Sequence, residues 1–178
     1  MTAPESSFQD HEVEAKKVKS LGFAVITLSD SRNETTDVSG AFIKNALLDV
    51  GHSVPFYRVL KDDREKIKST VKDCLIDPSI SVIITNGGTG IASRDTTFDV
   101  VAALLEKRLD GFGELFRMLS YQEIGPAAMM SRAVAGVAKG KVLFCLPGST
   151  NAVRLAMEKL VLPQAAHVYW ELNKHALA

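Results

Sequence analysis

The chain has 178 residues, 46% of them hydrophobic and 24% charged, and its formal net charge is zero. That length buries a core without disulfide or metal staples, and the apolar share excludes a disordered or collagen-like chain. Balanced charge gives no global pull toward nucleic acid or an anionic membrane, so neither is expected as a partner. No apolar run approaches the length of a bilayer span, and no signal-peptide core is present. Cys74 and Cys145 both lie among apolar residues and read as core thiols of a reducing compartment, not as a disulfide. A cytoplasmic protein is expected.

Residues 1–20 read as a polar N-terminal extension and residues 21–178 as a single domain. In the extension, Glu12 and Lys16 have the i, i+4 spacing that supports a short helix, and Lys16, Lys17 and Lys19 make a basic end. Phe23–Leu28 follows as a near-continuous apolar run, the pattern of a central parallel strand covered on both faces. It ends in Ser29-Asp30-Ser31-Arg32. Asp37 then stands where an N-cap is needed, and Phe42, Ile43, Ala46, Leu47 and Val50 form a helical stripe that Gly51 stops.

Val54–Leu60 reads as a second strand, with Val54 and Phe56 on one face and Tyr57 and Val59 on the other. One of Asp62 and Asp63 can cap the next helix, whose stripe is Ile67, Val71 and Cys74 or Leu75, ended by Asp77-Pro78. Val82–Ile84 is a third buried strand, and it stops in Asn86-Gly87-Gly88-Thr89-Gly90. A helix is expected over Thr96–Leu105, an interruption at Asp110-Gly111-Phe112-Gly113, and another helix over Glu114–Gln122. Arg132–Val137 and Lys141–Leu146 flank Lys139-Gly140 as a hairpin. Thr150–Leu172 reads as a long helix kinked at Pro163. The expected fold is α/β: three layers, a mostly parallel sheet with helices on both faces, plus a small β-hairpin.

Open sheets of this kind bind ligands beyond the carboxyl ends of their strands. The predicted strand ends carry Ser29–Arg32, Asp62-Asp63, the glycine loop and Pro147-Gly148-Ser149, all polar or glycine-rich. Clustered glycines let the chain turn sharply and expose amide N–H groups to an anion, usually phosphate. A strand-to-helix turn without a ligand fits the same residues. There is no G-x-x-x-x-G-K-[ST] and no G-x-G-x-x-G after the first strand. The four histidines are scattered without metal-ligand spacing, and neither cysteine has a charged neighbour to activate it. Ser29, Ser120 and Ser149 lie outside G-x-S-x-G and suit caps or turns. What remains is glycine amides, hydroxyls, aspartates, and Arg32 or Arg94. That inventory suits phosphoryl or nucleotidyl transfer, which depends on positioning and charge stabilisation. Asp62 and Asp95 are candidates for magnesium; each also fits a purely structural role, as a helix cap or, for Asp95, as a partner of Arg94.

Taken together, Ser29–Arg32, Asp37-Val38-Ser39-Gly40, TNGGTG followed by SRDTTFD, Gly111-Phe112-Gly113-Glu114 and LPGST resemble the MoaB/MogA family of molybdenum cofactor biosynthesis proteins, the molybdopterin adenylyltransferases. FRMLSYQEIG and SRAVAGV look closest to the MoaB branch. The resemblance implies transfer of AMP from MgATP to the terminal phosphate of molybdopterin, with pyrophosphate released and the product passed to a separate metal-insertion enzyme. It implies that Asp62 and Asp95 are catalytic and sit at magnesium and the reacting phosphates. It assigns substrate binding to Ser29, Asp30, Arg32, Gly87, Gly88, Thr89, Gly90, Gly113, Glu114, Pro147, Gly148 and Ser149. It also implies a homotrimer or hexamer. The alternative is a non-catalytic molybdopterin-binding or scaffold protein of the same pathway. Retention of Arg94-Asp95-Thr96-Thr97 favours the enzyme, while Lys61 and Thr150-Asn151 depart from the family's usual proline and Pro-Lys at those places.

Overall fold

Strands that are apolar on both faces need a helical layer on each side, and a computed structural model of the chain provides two. It describes residue 18 and residues 20–177; the expected N-terminal helix and its lysines lie outside the described residues. The elements are β1 (Gly22–Leu28), α1 (Val38–Asp49), β2 (Ser53–Leu60), α2 (Arg64–Ile76), β3 (Val82–Asn86), α3 (Thr97–Leu104) and β4 (Lys107–Arg108). Then follow α4 (Asp110–Ile124), a 3-10 turn (Gly125–Met130), β5 (Val134–Ala138), β6 (Lys141–Leu146), α5 (Thr150–Ala156), a π-turn (Met157–Val161) and α6 (Leu162–Leu177).

All six strands form one sheet in the order β2-β1-β3-β6-β5-β4. β2, β1, β3 and β6 are parallel; β5 and β4 add antiparallel pairs at one end. Alternation sorts the side chains. Phe23, Val25, Val82, Ile84, Val142 and Phe144 face the layer of α1, α4, α5 and α6. Ala24, Ile26, Ile83, Leu143 and Cys145 face α2 and α3. The chain leaves β1 for β2 with α1 on one face, then crosses to β3 with α2 on the other, as right-handed crossovers demand. The direction therefore reverses between β1 and β3, which puts the topological switch point at their carboxyl ends.

Several local expectations hold. The Asp37 carboxylate caps α1 by accepting from Gly40 N, and Asp63 caps α2 by accepting from Glu65 N and Lys66 N. Capping by Asp63 releases Asp62 from that duty. Both cysteines are buried and free, and burial pushes the Cys74 thiol up to about 11 and that of Cys145 to about 12.

Three expectations are corrected. Val54 and Phe56 do not share a face: Val54 packs with Tyr57 in one core and Phe56 with Leu60 in the other. β2 carries one extra residue between its pairings with Gly22 and Ala24, beside Pro55, and a bulge of that kind flips the alternation. Asp110–Gly113 does not interrupt a helix but begins α4. Phe112 buries its ring 5.3 Å from that of Phe144, and this contact offsets the weak helix propensity of the flanking glycines. The expected hairpin forms from β5 and β6, and because β6 pairs with β3 it joins the main sheet together with the unexpected β4. Finally, the long C-terminal helix is broken by a π-turn rather than by a kink at Pro163 itself. Leu162 N bonds to Met157 O, five residues back, just before the proline that cannot donate.

Candidate functional site

The carboxyl ends of β1, β3 and β6 meet around a cavity of about 440 Å3. Ser29, Ser31 and Arg32 come from the loop after β1. Asn86–Gly90 and Asp95 come from the loop after β3, and Pro147, Gly148 and Ser149 from the loop after β6. Met130, Ser131 and Arg132, which lead into β5, close the remaining side.

Backbone conformation shapes the floor. Gly87 has φ +95°, and a Cβ there would stand 2.2 Å from Leu28 O. Only glycine allows both that conformation and that approach. Gly87 N donates to Leu146 O at 3.1 Å, so the first amide of the loop is used by the neighbouring strand end. Among the described residues the amides of Gly88, Thr89 and Gly90 have no protein acceptor. Asn86 lies beneath them, fully buried; its amide nitrogen donates to Thr27 Oγ1 at 2.8 Å, and its Oδ1 has no partner. Unpaired donors and an unpaired acceptor on a cavity floor mark a place built for a polar ligand.

The loop after β1 is held by its own hydroxyls. Ser29 Oγ accepts from the amides of Ser31 and Arg32 at 3.3 and 3.2 Å. Arg32 Nη1 donates to Ser39 Oγ at 3.3 Å and lies 3.9 Å from the buried Asp37 carboxylate. Asp37 also accepts from Tyr57 Oη at 2.9 Å, and burial followed by that hydrogen bond raises the Tyr57 pKa. Ser39 Oγ in turn donates to Gly148 O at 3.3 Å. The loops after β1 and β6 are thereby joined through the start of α1. Ser149 caps α5 by accepting from Ala152 N.

The two aspartates take different places. Asp95 lines the cavity; its Oδ2 accepts from Ala92 N at 3.0 Å, and among the described residues its Oδ1 has no hydrogen-bond partner. Asp62 stands behind the glycine loop and is not a lining residue. Its Oδ1 accepts from the hydroxyls of Thr96 and Thr97, and its Oδ2 packs where a Gly88 Cβ would be. Partial burial raises the Asp62 pKa, the Thr96 hydrogen bonds oppose that, and the charges of Asp95 and Asp30 add to it. Asp30 accepts from Asp62 N at 3.4 Å and is likewise outside the lining. Among the described residues no group of three or more acidic, histidine or cysteine side chains is arranged to hold a metal. One cavity carboxylate with a free oxygen fits magnesium that arrives with substrate phosphates as its other ligands.

Gly113 and Glu114 are not brought to this cavity. They line a separate hollow of about 230 Å3 with Phe98, Arg108, Asp110 and Arg117. Arg94 is exposed and lines neither space. Arg132, placed by sequence only in a strand, and Asn86, placed at the head of the glycine loop but given no binding role, both belong to the cavity. Position in the strand-end pattern could have found Asn86. No local pattern marks Arg132, whose partners lie 33 and 42 residues away.

Residues 24–167 match the family described as "Probable molybdopterin binding domain". The chain is 46% identical to Molybdenum cofactor biosynthesis protein B of Bacillus cereus, over 94% of this chain and 99% of that protein. It is 48% identical to the protein of the same name from Staphylococcus aureus, over 85% of this chain and 91% of that one. A crystal structure of Molybdenum cofactor biosynthesis protein B is similar with a TM-score of 0.85 and 48% identity, over 88% of this chain and 98% of that one. The tungsten cofactor synthesizing protein MoaB from Pyrococcus furiosus gives a TM-score of 0.79 at 35% identity, over 86% and 98%. With the domain match, these identities and the shared sheet, the chain belongs to the MoaB/MogA family of molybdenum cofactor biosynthesis proteins.

Proposed function

We propose that this chain adenylylates molybdopterin. The observation that carries the reading is the glycine loop: the Gly88, Thr89 and Gly90 amides, without a protein acceptor among the described residues, belong to the lining of a cavity that also holds Asp95 and Arg32. Amides and guanidinium groups stabilise phosphate charge without chemistry of their own, which is what nucleotidyl transfer asks of a protein. A terminal phosphate oxygen of molybdopterin attacks the α-phosphorus of ATP. A P–O–P bond forms, the bond from the α-phosphorus to its bridging oxygen breaks, and pyrophosphate leaves. Magnesium enters with ATP as part of the substrate. Asp95 offers it an oxygen from the cavity, while Asp62 holds the loop from behind through Thr96 and Thr97. The same transfer serves molybdenum or tungsten, because metal insertion by a separate downstream enzyme comes later.

A non-catalytic molybdopterin-binding protein is the second reading, favoured by the position of Asp62 outside the cavity lining. Incubation with molybdopterin, ATP and magnesium separates the two: the first expects pyrophosphate and adenylyl-molybdopterin in equal amounts, the second pterin binding without either. We further propose a cytoplasmic homotrimer or hexamer. Leu115, Met118, Tyr121, Ile124, Met129 and Met130 form an exposed apolar face on α4 and the 3-10 turn, of the sort that subunit contacts cover. Light scattering that finds a stable monomer overturns the assembly proposal.

A further inference from the structure

Beyond β3 and the glycine loop, the segment that carries Asp95 runs from Gly90 to the start of α3 at Thr97. One guanidinium spans its neck. Arg132 Nη1 donates to Gly90 O at 3.1 Å, at the start of the excursion. Its Nη2 pairs with the Asp99 carboxylate in the first turn of α3. Its Cζ lies 4.2 Å over the ring of Phe98, the residue before Asp99. The side chain is only 26% exposed. A planar, forked cation can make all three contacts at once, which a lysine ammonium cannot.

Inside this neck, residues 91–94 are exposed. Their hydrogen bonds stay within the loop: Asp95 N to Ala92 O at 2.9 Å, and Ala92 N to Asp95 Oδ2 at 3.0 Å. The other ties across the neck are Thr97 N to Gly88 O and the Thr96 and Thr97 hydroxyls on Asp62, all on the far side of the glycine loop. Nothing but Arg132 among the described residues bonds Gly90 to another element. Asp99, which stands near Asp95 in sequence, is thus committed to the clamp and not to the cavity floor.

We propose that Arg132 is the positioning residue for Asp95: by closing the neck between Gly90 and α3 it fixes where the Asp95 carboxylate meets the substrate phosphates. The activity arm of this inference rests on the adenylyl-transfer reading; its loop-order arm does not. Arg132 reaches the cavity from the antiparallel end of the sheet and acts through the loop it holds.

The test compares Arg132→Lys with the parent chain, alone and in an Asp95→Asn background. For the single variant, kcat is expected to fall about 10²-fold, the cost of misplacing a reacting group by about an ångström, with the KM for ATP little changed. In the Asp95→Asn background the same substitution is expected to change kcat less than about threefold, since its route to the chemistry is gone. Hydrogen exchange at the Ala92 and Asp95 amides is expected to speed up in Arg132→Lys, with the amides of β3 and α2 unchanged. A raised KM with normal kcat, or full additivity with Asp95→Asn, makes Arg132 a direct phosphate ligand and overturns the proposal. Unchanged exchange at Ala92 and Asp95 overturns it too. If the parent chain itself transfers no AMP, the function reading fails, and the exchange measurement still decides whether Arg132 orders the loop.

Discussion

The parallel part of the sheet, β2-β1-β3-β6, and its antiparallel end, β5-β4 with α4, contribute to the cavity in different ways. The parallel part supplies three strand-end loops whose main chains touch. The antiparallel end supplies a side wall and one long cationic side chain, Arg132. Main chain placed by a sheet is fixed by the fold. A side chain that crosses to another element is fixed only by its contacts. One end sets where the site is, and on the proposal above the other sets how firmly its exposed edge, residues 91–94, is held.

The largest expected effect tests whether the two parts are separate bodies at all. Phe116 of α4 is fully buried in the core that also holds Val25 and Phe144. Phe116→Ala is expected to cost about 3–5 kcal/mol in chemical denaturation, in a single cooperative transition. Two transitions would divide the sheet into independent halves and undo the comparison. Next comes Asp95→Asn. Turnover is expected to fall about 10²–10³-fold with the melting temperature nearly unchanged. Normal turnover would remove the loop after β3 from the chemistry.

A smaller effect separates neighbours at the end of β2. Asp63→Ala removes the α2 cap and is expected to cost about 1 kcal/mol without altering turnover. A larger loss of turnover than of stability would tie α2 to the site. The smallest effect concerns Asp62. The folded protein binds the Asp62 proton more tightly than the unfolded chain does, so this group lowers stability as pH rises from its ordinary 3.8 through the raised folded value. Asp62→Asn is expected to abolish that slope, matching the parent in acid and equalling or exceeding its stability near neutrality. A variant less stable at pH 7 would show that the Thr96 and Thr97 hydrogen bonds outweigh burial.

The parallel part was largely legible in the sequence because its signals are local. Phe23–Leu28 is a near-continuous apolar run and Val82–Ile84 an unbroken one, and Asp37, Asp63 and Ser149 are caps within three residues of the amides they hold. The strand-end loops could therefore be grouped before any coordinates. The antiparallel end resisted for the opposite reason. β4 is only Lys107-Arg108, with no β-forming side chain, and it exists because β5 offers an edge. The start of α4 contains two glycines, whose weak helix propensity is offset by the burial of Phe112 against Phe144, a contact distant in sequence. The β2 bulge is set by a pairing with β1 that no alternation within β2 can reveal. Arg132 has the same character: its partners are distant in sequence, so its importance appears only when the sheet is assembled.

The meeting of Leu28, Gly87 and Gly148 has one more consequence. A Cβ on Gly148 would stand 2.9 Å from Gly87 Cα, just as one on Gly87 would stand 2.2 Å from Leu28 O. Where these three residues meet, the bottom of the cavity is therefore a surface of peptide groups with no room for a Cβ. Point substitutions there destroy the surface instead of reshaping it. Diversification of ligand preference within this architecture has more room at the rim, where the Met130 and Ser131 side chains carry none of the contacts that join the loops.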